Sequence, residues 1–325
     1  MDRRGLRARW RTPEGRGLSL GVRDWLLGGS RPVGVERFDG RWDLRGFDLP
    51  EPSRVVRREY QEAAPSDMFH ARDVGWSALD LRDASLPSIR MTGVTVEGCR
   101  MDGVSLPDLR IWATAFEDCS FVGAFLRGSA LATGDEGGIC RWVRVSFDRA
   151  DLRDCRFLGG DVIGCTFRNT RLDEVDFLQT RLEDVVFAGR VRTVLFDERS
   201  IPERRPEPHT IRDVDFSESL LENTSFEGCF FEGVSWPGGV AVIPEYPIVA
   251  ARALTYLEDD DSLPARFARV TLTQPEKVAD VPDAAEWPPD ATGIVNFADV
   301  IAYAGEPTAE LLTDVIGRAR EELGI

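Results

Sequence analysis

The 325-residue chain has one lysine, Lys277, two histidines, His70 and His209, and no apolar run near the roughly 18 residues a membrane-spanning helix needs. With a single lysine, the P-loop and Schiff-base chemistries lack their key residue. The pattern GxSxG is spelled once, at Gly17-Leu18-Ser19-Leu20-Gly21, inside the helix predicted from Thr12 and not at the strand-to-helix turn a nucleophile elbow needs; no GxGxxG opens a helix after a strand, and no CxxC or Cys/His cluster offers zinc ligands. His209 reads as a packed or capping imidazole rather than a base. Basic side chains are outnumbered 40 to 56, a net charge of −16, so the chain lacks the positive footprint that a nucleic-acid backbone or an anionic membrane requires. The arginine-rich start, MDRRGLRARWRTPEGRG, is followed by no apolar targeting segment. These absences point to a cytoplasmic, non-enzymatic protein with no metal and no cofactor.

What is present is a five-residue rhythm. From Trp76, every fifth residue through Leu131 is apolar, including Leu86, Met91, Phe116 and Phe121. The phase shifts by one near 132–141 and resumes as Trp142, Phe147, Leu152, Phe157, Val162, Phe167, Leu172, Phe177, Leu182 and Phe187. After a second interruption at 189–210 it returns as Ile211, Phe216, Leu221, Phe226, Phe231 and Trp236. At 42% hydrophobic residues such a run has a chance probability on the order of 10^-8. Neither a helix of period 3.6 nor a strand of period 2 keeps every fifth residue on one side, so the chain turns a corner at each repeat.

Two residues before each apolar centre the side chain is usually small. All six cysteines, Cys99, Cys119, Cys140, Cys155, Cys165 and Cys229, fall at that position, which makes them core fillers rather than disulfide partners. Large centres facing small partners fill a narrow tube. The segment from Ser85 to Met91 aligns with that from Ser105 to Ile111 at an offset of twenty, so four five-residue sides make one coil.

Segments such as Ala150-Asp151-Leu152-Arg153-Asp154, Cys165-Thr166-Phe167-Arg168-Asn169 and Val214-Asp215-Phe216-Ser217-Glu218 resemble the repeat of the pentapeptide-repeat proteins. That resemblance covers about half the chain. It implies a mainly β fold, a right-handed four-sided parallel β-helix, here over 76–236 and roughly 38 Å long at the usual strand spacing. An N-terminal cap segment, 1–75, and a small C-terminal helical domain, 237–325, would close its ends.

In the first flank, Thr12 and Pro13 predict a helix start, followed by Leu18, Leu20, Val22, Trp25, Leu26 and Leu27. Trp42 and Phe47, five apart, are compatible with either a stray first coil or a plain hairpin. Downstream, Ile248, Ala251, Leu254 and Leu257 predict a helix, 263–272 a second, Asn296 a cap for a third through Tyr303, and Thr308 a cap for a last one bearing Leu311, Leu312, Val315, Ile316, Ala319 and Leu323. Pro275 to Pro289 reads as a linker. The proline-rich break before His209, carrying Arg204 and Arg205, reads as a projecting loop or a partner-contacting arm.

Charge divides as +3 over 1–75, −9 over 76–236 and −10 over 237–325. Some members of the resembling family imitate duplex DNA and bind or protect type II topoisomerases. The resemblance therefore nominates the outward acids Glu97, Glu117, Asp118, Asp154, Asp173, Glu174, Glu183 and Asp184 as an interaction surface for a protein partner, with a topoisomerase as the concrete case. One charge per about 4 Å falls short of the one per 1.7 Å of duplex DNA, so the imitation is partial. The alternative is a scaffold whose C-terminal helices mediate homodimerisation or partner docking.

Overall fold

The computed structural model describes residues 3–49, 69–133, 138–199, 209–273 and 290–325. Arg204, Arg205 and the expected linker fall outside the described residues. The corner that the five-residue period demands is a backbone event. Two residues past most apolar centres the chain turns left-handed, with φ of 57° at Asp83, 62° at Gly103, 52° at Asp118 and 61° at Asp154. Glycine enters that region freely and Asp or Asn tolerates it, and these types occupy most of the corners.

Between corners lie strands of about three residues whose middle side chain points inward. Each pairs in parallel with the strand one coil away, as in Trp76↔Val96↔Phe116↔Trp142↔Val162↔Leu182 on one face and Met91↔Ile111 and Phe157↔Phe177↔Phe196↔Phe226 on another. Among the described residues, these two faces are eight-stranded parallel sheets, and the other two are stitched by shorter strands and single bridges. The result is a four-sided β-solenoid.

Leu86, Met91, Phe116, Phe121, Trp142, Phe147, Phe157, Phe167, Phe177, Phe187, Phe216 and Phe226 are all buried in one continuous core. Strand spacing sets how the rings meet. Phe147, Phe167, Phe187 and Phe216 stack with centroids 4.9–5.0 Å apart, Phe157, Phe177, Phe196 and Phe226 at 4.7–5.1 Å, and the two ladders meet edge to face at 82–89°. The small position has a chemistry of its own. Cys165 Sγ donates to Trp142 O at 3.4 Å, Cys119 Sγ to Val96 O at 3.5 Å, Thr170 Oγ1 to Phe147 O at 2.8 Å and Thr180 Oγ1 to Phe157 O at 3.1 Å. All four bridges span 23 residues, one coil plus three. Cysteine and threonine thus do the same work there.

Both interruptions differ from the sequence reading. Leu131 and Trp142 are centres of successive faces, so the first break inserts six residues at one corner, not one, because a five-residue period registers length only modulo five. The second break is shorter than 189–210. Val191 and Phe196 are buried centres one residue out of phase, and the coil runs on to Arg199. The missing residue at the Gly189 corner appears as a register shift between Val186 and Ala188 against the Asp215–Glu222 strand.

The N-terminal flank is also part of the solenoid. Arg41–Asp43 pairs antiparallel with Arg37–Phe38, as a hairpin would, and in parallel with Leu79–Asp80, as a coil would. Its centres are Leu44 and Leu49, stacked on Leu81 and Leu86 by backbone bonds, whereas Trp42 and Phe47 occupy the preceding positions. Helix α1, Arg3–Ala8, was not expected; α2, Pro13–Leu26, starts at Thr12, whose hydroxyl accepts from Gly15 N at 3.0 Å. Val22 and Leu26 are buried, while Leu20 faces outward. Trp10 donates to Arg45 O at 2.8 Å and Trp76 to Leu26 O at 2.9 Å, which seats this cap over the open end.

At the other end the antiparallel strands Val240–Ile243 and Gly293–Asn296 bridge the solenoid to helices α3, Tyr246–Thr255, α4, Leu263–Leu272, α5, Phe297–Ala304, and α6, Glu306–Leu323. Asn296 Nδ2 donates to Leu221 O and Asn223 N to Asp299 Oδ2, both at 2.8 Å. The helices share a second core. Two details depart from expectation. Helix α3 buries Tyr246, Val249, Ala250 and Ala253 and leaves Ile248 exposed; α6 begins at Glu306, with Thr308 bonded inside it to Ala304 O and Leu323 outside the buried face.

Candidate interaction surface

A filled tube leaves only its outside for recognition, so the surface is built from the residues flanking each centre and from the corners. Asp118, Asp154, Glu174 and Asp184 all stand at left-handed corners, with φ of 52–61°. Three of these four nominated acids are therefore aspartates at a place where the backbone itself favours Asp.

Arginines meet most of the nominated acids. Arg144 donates to Asp118 Oδ1 at 2.7 Å and to Glu117 Oε1 at 2.5 Å, and holds the Asp118 carboxyl below its usual range through those hydrogen bonds. Arg127 pairs with Asp154 at 2.7 Å, Arg192 Nε with Asp173 at 2.6 Å, and Arg181 with Glu183. Glu97 and Asp184 are exposed. The eight acids are distributed over more than one face and form no continuous strip: Glu97, Glu117 and Glu183 flank the Trp76–Leu182 sheet, with Val143 and Ile163 between Glu117 and Glu183 in the same row.

The balance changes along the axis. Residues 3–49 hold eleven arginines against six acids, residues 69–133 six against eight, residues 138–199 eleven against eleven, and residues 209–236 one against six. The middle coils are close to neutral and the acid gathers at the C-terminal end.

One pattern escaped the sequence reading although it is written there. Asp-x-Arg around a centre puts both charges on the outside of one strand, two residues apart. Arg45 clasps Asp43 with both contacts at 2.9 Å, Arg82 clasps Asp80 at 2.8 and 2.5 Å, and Arg153 clasps Asp151 at 2.8 and 2.6 Å; Arg199 clasps Asp197 with the same geometry, at 2.9 and 2.7 Å, but beyond the centre Phe196 and with both side chains buried. Arg9 adds two bonds to Asp43, at 2.8 and 2.7 Å. Burial alone would raise the Asp43 carboxyl, but the bonds from Arg45 and Arg9 outweigh it and hold it far below the usual range. Asp151 is lowered in the same manner, its Arg153 bonds outweighing burial.

The histidines sit apart. His70 Nε2 lies 3.0 Å from Thr92 Oγ1, and burial with Arg72 and Arg90 nearby lowers its pKa. His209 is half-buried and bonds Glu198 Oε2 through its backbone N–H at 3.0 Å; burial pushes the Glu198 carboxyl up. The cysteines are buried and unpaired as disulfides, and burial pushes Cys155 and Cys165 to about 12. Among the described residues no cluster of three His, Cys, Asp or Glu side chains is arranged for a metal, and no helix is long and apolar enough to cross a membrane.

Residues 140–169 and 150–189 match a family model described as pentapeptide repeats, in eight copies. Among solved structures the chain is similar to HetL, a pentapeptide repeat protein involved in heterocyst differentiation regulation from the cyanobacterium Nostoc sp. strain PCC 7120, at 15% identity over 57% of this chain and 90% of that one, with a TM-score of 0.20. Rfr23 from the cyanobacterium Cyanothece 51142 matches at 14% identity over 44% and 90%, TM-score 0.23. QnrB1, a plasmid-mediated fluoroquinolone resistance protein, matches at 14% identity over 52% and 87%, TM-score 0.18. No curated protein matches. The fold rests on the twenty-residue register and the family model rather than on these overlaps.

Proposed function

Because the chain is a pentapeptide-repeat protein, we propose that it works as a non-enzymatic protein-interaction module: a rigid platform that presents side chains at fixed spacing and engages partners chiefly through its ends. The single observation that carries this reading is the axial charge balance, neutral over 138–199 and unbalanced at both ends. A partner docking on the middle coils would have to break existing arginine–carboxylate pairs before making its own, and exposed pairs of that kind already satisfy one another. At the ends, Arg16, Arg23, Glu258, Asp259 and Asp261 meet no opposite charge among the described residues and are placed to steer a partner.

The topoisomerase reading survives only in a narrower form. Residues 209–236 hold six acids against one arginine, and although Glu218, Glu222 and Glu232 pair with Arg168, Arg190 and Arg212, the acidic C-terminal domain that follows favours local imitation of a phosphate backbone at this end and not along the rod. A supercoiling assay with a bacterial type II topoisomerase separates the two readings. The platform reading predicts unchanged supercoiling and no protection against an inhibitor. Salt-sensitive inhibition that disappears in the triple variant Asp213→Asn, Asp215→Asn, Glu218→Gln would establish the narrower mimic instead.

A further inference from the structure

The polarity of the rod suggests what its basic end recognises. Helix α2 lays Arg16 and Arg23, seven residues apart, along one side of a groove of about 670 Å3 whose floor holds Trp10 and Leu49 and whose rim holds Leu20. Arg11 closes the near side, paired with Asp48 at 3.3 Å. Among the described residues Arg16 and Arg23 meet no carboxylate. The groove is thus an apolar trough edged by guanidiniums.

At the opposite end, the turn between α3 and α4 is complementary. Glu258, Asp259 and Asp261 are exposed and meet no arginine or lysine side chain among the described residues. The turn is held in shape from below: Arg269 donates to Leu257 O at 2.5 Å and to Asp260 O at 2.8 Å, Asp260 Oδ1 accepts from Ser262 N at 2.9 Å, and Ser262 caps α4. Immediately after it stands Leu263, 63% exposed.

We propose that the N-terminal groove receives the acidic turn of a second copy of this chain, carboxylates on Arg16 and Arg23 and Leu263 on the Trp10–Leu49 floor. Net repulsion between two copies does not forbid this, because at physiological salt only charges within about 8 Å act on each other. The contact is heterologous: each pair leaves one groove and one turn unfilled, so association is head to tail and open-ended. A single turn in a groove buries less than a standard interface, so it is weak and concentration-dependent. The same charges oppose pairing of two C-terminal domains, which would set acid against acid.

Sedimentation velocity of the full chain over a hundredfold concentration range tests it, with one variant carrying Arg16→Glu and Arg23→Glu and another carrying Asp259→Arg and Asp261→Arg. The wild type is expected to associate at about 0.15 M salt and to dissociate at about 0.5 M salt, where the contact itself is screened. Each variant alone stays monomeric, and an equimolar mixture associates again, because the native groove of one meets the native turn of the other and the acidic groove meets the basic turn. Recovery in the mixture also shows that both variants fold. A wild type that is monomeric throughout, variants that associate unaided, or a mixture that fails to recover would each overturn the proposal.

Discussion

At the scale of the residue, one backbone fact explains much of the acidity. A left-handed corner recurs at most repeats, and Gly or Asp is the economical side chain there. Gly98, at φ 59° with open space where a Cβ would stand, isolates this term: Gly98→Ala should cost about 1–2 kcal/mol in urea unfolding without any steric clash. Asp118→Gly, which loses an exposed ion pair but relaxes the corner, should stay within about 0.5 kcal/mol of the wild type. A large loss at Asp118 would mean that its carboxylate is held for more than the turn. The small inward position gives a second test. Cys165→Ser keeps a donor toward Trp142 O and should cost less than about 1.5 kcal/mol, whereas Cys165→Leu should cost about 1–3 kcal/mol by overpacking. Native Cys165, buried with its thiol pushed to about 12, should resist alkylation until the chain unfolds. The centres and small positions were legible in the sequence because side-chain size alone decides them. The role of Asp118 or Asp154 was not, because a corner aspartate and a binding aspartate look the same without φ.

At the scale of the element, several coils carry pairs that the sequence spells but that periodicity does not reveal. The Asp-x-Arg clasp needs two outward positions on one strand, so it became visible only once Leu44, Leu81 and Leu152 were known to point inward. The N-terminal coil was half legible for a related reason. Trp42 and Phe47 carry the five-residue spacing, yet the hydrogen bonds from Leu44 to Asp80 and from Leu49 to Ser85 fix the centres two residues later. These clasps set a pH dependence. Asp43 and Asp151 have carboxyls lowered in the folded state, so their contribution to stability is complete above the ordinary carboxylate pKa of about 4 and is lost as pH falls below it. Thermal unfolding should therefore show a midpoint that drops below about pH 4, with a smaller drop in Asp43→Asn, measured at matched ionic strength. An identical acid profile for that variant would remove Asp43 from the account.

At the scale of the whole molecule, the period foretold the rod and the composition its net charge, but not where along the rod the charge lies. That required knowing that 189–199, with three arginines against two acids, belongs to the solenoid and that the charge-balanced residues 41–49 begin it. The molecule is a polar rod, basic at the N-terminal cap, close to neutral in the middle and acidic at the C-terminal end, and not an evenly charged imitation of DNA. Transient electric birefringence with field reversal, at low salt and at a concentration where the chain is monomeric, tests this directly. The account predicts a pronounced transient on reversal, the mark of a permanent dipole along the stacking axis, diminished when Arg11, Arg16 and Arg23 are changed to Gln. A response without a reversal transient, as an evenly charged polyanion gives through induced polarisation alone, would contradict it.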